Sequence, residues 1–218
     1  MQFRDRADAG KRLSEALDRF EGHDAVVLGL PRGGVPVAFE VAERLGLPLD
    51  VVVVRKIGAP SNPEFGVGAV GEEGVVLLNR PTLGRLGLQE EDLRSSVEDE
   101  QAELERRLER YRRGRPAAEV KGRTALLVDD GVATGGSAKA AIEVLRERGA
   151  GKVVLAVPVG PPETIAELEQ FADEVVCLEQ PASFMAVGTW YRDFGQTRDE
   201  EVVALLERAH GRGDEGDD

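Results

Sequence analysis

The feature that most constrains this chain is a set of short apolar runs that do not alternate with polar residues. Residues 25–30 (AVVLGL), 50–54 (DVVVV), 124–128 (TALLV), 152–157 (KVVLAV) and 174–178 (EVVCL) are almost continuous Val, Leu and Ala. A strand with one face in water alternates, whereas a strand covered on both faces does not. Amphipathic stretches at 35–45, 135–148 and 162–171 follow the first, third and fourth runs. This succession predicts an α/β fold, an open and mostly parallel sheet flanked by helices. The 218 residues suffice for one domain with a sizeable core, expected over residues 1–210.

Two segments interrupt the pattern. Residues 58–79 are rich in Gly and Pro and then turn apolar, which predicts a mobile loop or a hairpin. Residues 89–113 are densely charged, yet Leu93, Val97, Leu104, Leu108 and Tyr111 fall at helical spacing. That stripe predicts an inserted helix packed on the core, or else a dimer contact. From Gly211 the sequence is polar and acidic, and a disordered tail is expected. Its Arg-Gly-Asp triplet is read as chance.

Composition narrows the function. No apolar run approaches the roughly 20 residues of a membrane span, and the charged N-terminus lacks the apolar core of a secretory signal. Cys177 is the single cysteine, so an internal disulfide is excluded and a reducing, cytoplasmic setting is expected. A net charge of −13 argues against nucleic-acid binding. His23 and His210 show no ligand spacing to Cys177, which is better read as a small buried strand residue.

The informative stretch is 125–137, ALLVDDGVATGGS. A buried strand ends on two carboxylates, Asp129 and Asp130. A tight Gly-rich loop of Gly131, Val132, Ala133, Thr134, Gly135, Gly136 and Ser137 then leads into a helix that begins with Ala138-Lys-Ala-Ala-Ile. In open α/β folds ligands bind at the carboxyl edge of the sheet. Backbone N–H groups, two hydroxyls and the positive end of a helix suit a phosphate. The carboxylates suit ribose hydroxyls or a hydrated Mg²⁺. A Walker A loop is excluded because Ser137-Ala138, not the required Lys-Ser/Thr pair, follows Gly136. The string Gly66-x-Gly68-x-x-Gly71 leads into an apolar run rather than a helix, so the dinucleotide context fails. Ser137 lies outside a Gly-x-Ser-x-Gly elbow.

The strand-DDGVATGGS sequence resembles the 5-phosphoribosyl 1-pyrophosphate (PRPP) motif of type I phosphoribosyltransferases. It departs from it at Gly131, where an aliphatic residue is more usual and a looser turn is expected. The family's 6-oxopurine enzymes carry an Asp where this chain has Ala133, which argues against that route to hypoxanthine or guanine. The Ala-Thr-Gly-Gly order looks more like the adenine-using branch. Leu30-Pro31-Arg32-Gly33-Gly34 stands where the family has its pyrophosphate loop. There the resemblance implies a cis Pro31–Arg32 peptide; the alternative to a pyrophosphate loop is an ordinary strand-to-helix turn capped by glycines. It also implies a lid after the second strand, with Arg55, Lys56, Ser61, Asn62 and Glu64 in it or at its base; Lys56 reads equally as an exposed strand-end lysine. A hood over the acceptor is implied at 180–198, where Phe184, the only tryptophan, Tyr191 and Phe194 cluster; a packed C-terminal cap is the alternative.

The resemblance thus implies a Mg²⁺-dependent glycosyltransferase acting on PRPP and a nucleobase-like acceptor, with release of pyrophosphate. It further implies a homodimer and a place in nucleotide metabolism. Thr134 through Ser137 would hold the 5-phosphate. Asp129 and Asp130 would engage the ribose and Mg²⁺, while Arg32, Gly33 and Gly34 would take pyrophosphate with Arg55 or Lys56. Two rivals stay open: a PRPP-binding regulator or sensor without transferase activity, and an enzyme that hydrolyses a sugar phosphate.

Overall fold

The computed structural model describes residues 2–211. In chain order its first half holds α1 (Arg6–Ala16), β1 (Ala25–Gly29), α2 (Gly34–Leu45), β2 (Leu49–Val51), β3 (Val54–Ala59), β4 (Asn62–Gly71) and β5 (Val76–Leu78). Then follow α3 (Arg80–Leu86), α4 (Arg94–Arg112), β6 (Thr124–Val128), α5 (Gly136–Glu147), β7 (Lys152–Val159), α6 (Pro162–Leu168), β8 (Glu174–Glu179) and α7 (Asp199–Gly211). Five strands make a parallel sheet in the order β2-β1-β6-β7-β8. A second, antiparallel sheet has the order β3-β4-β5.

Four strands of the parallel sheet, β2, β1, β6 and β7, are buried on both faces, as their apolar runs require, while β8 at the edge is half-buried throughout. Val27, Leu126, Val128, Val154 and Ala156 pack with Leu13 of α1, Val41 of α2 and Val202 of α7. The intervening residues Val26, Leu28, Ala125, Leu127 and Val153 pack with Ile142 of α5 and Ile165 of α6. Successive strand side chains point to opposite faces, so one run of sequence builds two cores. No described helix is long and apolar enough to cross a membrane.

The structure corrects one expectation, decides a second and adds to a third. The run 50–54 is not one strand: β2 ends at Val51, and β3 starts the second sheet at Val54. Buried acids turn the chain there, since Val51 N–H donates to Asp50 Oδ1 (2.8 Å) and Val53 N–H to Glu72 Oε1 (3.1 Å). Residues 58–79 take the hairpin form of the two readings, with β3 and β4 paired from Val54↔Gly71 to Ala59↔Asn62. Gly71 of the apparent dinucleotide string lies against α5; a Cβ there would meet Val144 Cγ2 at 2.2 Å. Third, α1, α3 and α7 add to the helices that the amphipathic stretches predict. The expected tail at 212–218 and the side chain of Glu64 lie outside the described residues.

The charged 89–113 segment contains α4, and Leu93, Leu104 and Tyr111 of its stripe are buried in this chain's own core. Its last turn carries Arg112 into a buried ion network. Arg112 donates to both oxygens of Asp50 (3.1 Å each), to the Val51 carbonyl (3.1 Å) and to Glu72 Oε2 (2.8 Å). Arg148, at the C-terminus of α5, reaches Glu72 and Glu73. Burial pushes the Glu72 carboxyl up even though Arg112 and Arg148 oppose it. The insertion therefore ties β2, the second sheet and α5 together.

Cys177 sits on β8, where burial pushes its thiol up to about 11. At pH 8 almost none of it is thiolate, the reactive form. Alkylation by iodoacetamide in the native protein should run at least about 100-fold slower than in the urea-unfolded chain, whose thiol has an ordinary pKa. Comparable rates would show that the thiol is not shielded.

Candidate active site

β1 and β6 are neighbours, and the connections from their carboxyl ends lead to α2 and α5. This is the topological switch point, where a crevice opens at the edge of the sheet. The two connections are joined directly, because Leu30 N–H donates to the Val128 carbonyl at 2.9 Å.

Packing between those loops explains the paired glycines. A Cβ on Gly33 would lie 2.1 Å from Asp130 Oδ2, and one on Gly34 would lie 2.6 Å from the Val128 carbonyl oxygen. Only hydrogen at Cα lets the β1 loop lie this close to the acidic pair. The Pro31–Arg32 peptide is cis, as the resemblance implies, and Arg32 is exposed beside Gly33 at a cavity of about 430 Å³.

The β6 loop is anchored from below and open above. Val132 N–H donates to the Val159 carbonyl (2.9 Å), and Thr164 Oγ1 donates to the Ala133 carbonyl (2.8 Å). Thr134, Gly136 and Ser137 stay exposed, so two hydroxyls and the first turn of α5 face outward. Gly135 caps that helix at φ 70°.

Gly131 corrects an expectation. Its φ is 150°, a backbone region that favours glycine, and a Cβ would meet Val187 Cγ1 at 2.7 Å and Val159 Cγ1 at 3.0 Å. The turn is packed closely on Val187 and Val159 rather than loose. Gly131→Val, which restores the aliphatic residue usual in the family, should lower stability by roughly 1–3 kcal/mol from overpacking and backbone strain. A melting temperature equal to the parent's would refute this.

Burial sets the character of the acids. It raises the carboxyl of Asp129 well above the usual range, and the adjacent Asp130 charge raises it further. Asp130 is raised by burial too, against the opposing pull of Arg6. Asp130 N–H donates to Asp129 Oδ1 at 2.8 Å. Arg6, from α1, donates through Nε to Asp130 Oδ2 (2.8 Å) and through Nη1 to the Gly195 carbonyl (2.6 Å). Tyr191 donates its hydroxyl to the Asp130 carbonyl at 2.5 Å. Nothing in the charged N-terminal sequence marks Arg6 out; its partner lies 124 residues away.

Two carboxylates against one guanidinium leave room for a further cation, and their oxygens are the hard donors that Mg²⁺ prefers. Among the described residues no group of three or more acids, histidines or cysteines could hold a metal by itself.

The two basic residues of β3 part company. Lys56 runs to the start of α5, its Nζ 3.6 Å from where a Gly136 Cβ would be, beside a cavity of about 490 Å³. Arg55 instead donates to Glu100 of α4 at 2.6 Å. Within 180–198 the aromatics divide as well. Tyr191 is buried against Phe3 with ring centroids 5.4 Å apart, forming a packed cap, while Phe194 lines the 430 Å³ cavity with Arg6, Arg32 and Asp130.

The comparisons agree with this geometry. Residues 3–191 match the phosphoribosyl transferase domain family. The chain is 51% identical to TT1426 from Thermus thermophilus, a crystal structure, with TM-score 0.86 over 95% of this chain and 99% of that one. It is 54% identical over 208 residues to a candidate phosphoribosyl transferase of Mycobacterium tuberculosis H37Rv, covering 95% of this chain and 47% of the relative. It thus spans about half the length of the curated relative. A 57-residue stretch is 44% identical to the uracil phosphoribosyltransferase of Clostridioides difficile 630, 26% of this chain and 27% of that one. With the family match spanning most of its length, this chain belongs to the phosphoribosyl transferase domain family.

Proposed function

We propose that this chain transfers the 5-phosphoribosyl group of PRPP to a nitrogenous, nucleobase-like acceptor and releases pyrophosphate. The observation that carries the reading is the contact of Gly33 with Asp130, which sets an anion-binding loop against a ribose-binding acid. A PRPP molecule needs both within its own length. In the reading, Thr134, Gly135, Gly136 and Ser137 hold the 5-phosphate at the α5 N-terminus, with Lys56 beside Gly136 adding a cation. Asp129 and Asp130 accept hydrogen bonds from the ribose hydroxyls. Arg32, with the backbone at Gly33 and Gly34, takes the departing pyrophosphate.

The acceptor nitrogen's lone pair forms the new bond to C1 as the C1–oxygen bond breaks, and pyrophosphate leaves with that electron pair. The acceptor's N–H proton passes to solvent or to a base. Positive charge develops on the ribose in the transition state, and preorganised carboxylates beside it lower the barrier. Mg²⁺, when bound, neutralises pyrophosphate charge. A homodimer in the cytoplasm is the family's implied setting and belongs to the same proposal.

Calorimetric titration of PRPP with and without Mg²⁺, followed by pyrophosphate release across a panel of bases, tests the proposal. Saturable Mg²⁺-dependent binding with base-dependent release is the expected result. Binding without release would favour the sensor, release without any base would favour the hydrolase, and no binding at millimolar PRPP would end the reading.

A further inference from the structure

The N-terminal segment reaches into the site through a single side chain. Arg6 donates to Asp130 Oδ2 at 2.8 Å and to the Gly195 carbonyl at 2.6 Å. Its guanidinium carbon lies 4.0 Å from the centroid of the Phe194 ring. The side chains of Arg6 and Asp130 each retain only 13% of their exposure. Three separate parts of the chain therefore meet on one guanidinium: the first turn of α1, the acidic end of β6 and the segment before α7.

The surroundings fix the consequence. Asp130 Oδ2 also faces the Gly33 backbone, too close for a Cβ. Arg6 thus donates to the same oxygen that lies close against Gly33, and the hydrogen bond and the close packing together limit where that carboxylate can sit in the crevice. The carbonyl of Asp130 is held separately, by Tyr191, whose ring packs on Phe194 with centroids 5.0 Å apart. A guanidinium suits this place because it is planar, donates in a fixed fork and stacks on an aromatic face. A lysine could supply the charge but not the fork or the stacking.

We infer that Arg6 is a positioning residue: it aims the Asp130 carboxylate at the ribose of PRPP and couples that aim to the closure of the N- and C-terminal segments around the crevice. The inference rests on the phosphoribosyl-transfer reading. Arg6 acts through Asp130, so its loss should matter only while residue 130 has a side-chain oxygen for Arg6 to hold.

The test is a double-mutant cycle read as PRPP affinity, by calorimetry with Mg²⁺, in the full chain. Arg6→Met should weaken PRPP binding about tenfold, the effect of losing one well-made charge-assisted contact. Arg6→Lys should recover part of that loss. In an Asp130→Ala background, which leaves Arg6 no side-chain acceptor there, Arg6→Met should add less than about twofold, because coupled neighbours are not additive. Losses that multiply fully, or Arg6→Met binding like the parent, would overturn the inference while leaving the transfer reading intact. No PRPP binding by the parent protein would overturn both. Should Arg6→Met fail to fold, Phe194→Leu decides. It removes the ring beneath the guanidinium and keeps both charges, and a roughly threefold loss is expected from a cation–π contact. Parent-like affinity in Phe194→Leu would count against Arg6.

Discussion

Asp130→Asn should lower the rate of pyrophosphate release by about 10²–10³-fold, the usual cost of removing one preorganised electrostatic partner of a transition state. The substitution keeps shape and removes charge. Arg6 can still donate to the amide oxygen, so the 2.8 Å contact has a neutral counterpart. What disappears is the negative charge beside the ribose, where positive charge accumulates as the bond to pyrophosphate breaks. Stability should change by less than about 1 kcal/mol, since burial already disfavours the ionised carboxyl and the hydrogen-bonding pattern largely survives. Steady-state kinetics and a thermal melt on one preparation separate the two effects. Full activity in a folded variant would remove Asp130 from the machinery; a collapsed melt would make it a structural acid.

A second large effect is expected far from the crevice. Arg112→Met should destabilise the protein by about 3–5 kcal/mol, because it removes the cation shared by two buried acids and leaves Glu72 only the more distant Arg148. Arg112 is the shared partner of Asp50 and Glu72, whose side chains retain 4% and 2% of their exposure. Methionine fills much of the volume, so the loss is electrostatic rather than a cavity. For a chain of this size that is a drop in melting temperature of roughly 10 °C. The pH dependence has a definite sign. Glu72 already has a raised pKa in the folded protein through burial, and losing Arg112 raises it further. A raised acid favours the fold most when protonated, so the deficit should shrink as pH falls from 8 towards 5 and grow as pH rises through the folded pKa. A loss below about 1 kcal/mol would mean that the network relaxes without Arg112. A pH-independent loss would point to packing instead.

The parts of the site that were legible in the sequence are contiguous. Residues 129–137 carry acids, glycines and hydroxyls in one run, and their order states their chemistry before any packing is known. The same holds for Pro31 through Gly34 directly after β1. Lys56 and Arg55 show where this stops. They are neighbours on one strand, so their side chains leave on opposite faces, but which of them meets the cradle depends on where α4 lies. Gly33 and Gly131 make a similar point. Each is visible as a glycine, yet the reason for each is an atom from elsewhere: Asp130 Oδ2 for one, Val187 and Val159 for the other.

The sequence by itself determined the sheet and its two faces, because burial on both sides demands uninterrupted apolar strands, and local periodicity records that demand. It also determined the Gly-rich loop after β6, whose proposed role rests on adjacent backbone groups. Only the tertiary structure decided that Arg6 reaches Asp130, that Arg112 joins Asp50 to Glu72, and that Tyr191 packs while Phe194 faces the cavity. Those pairings span 124, 62 and 40 residues where they link charges. A charged side chain on a polar helix carries no local sign of its partner; its place is set by the desolvation that the folded chain imposes on both.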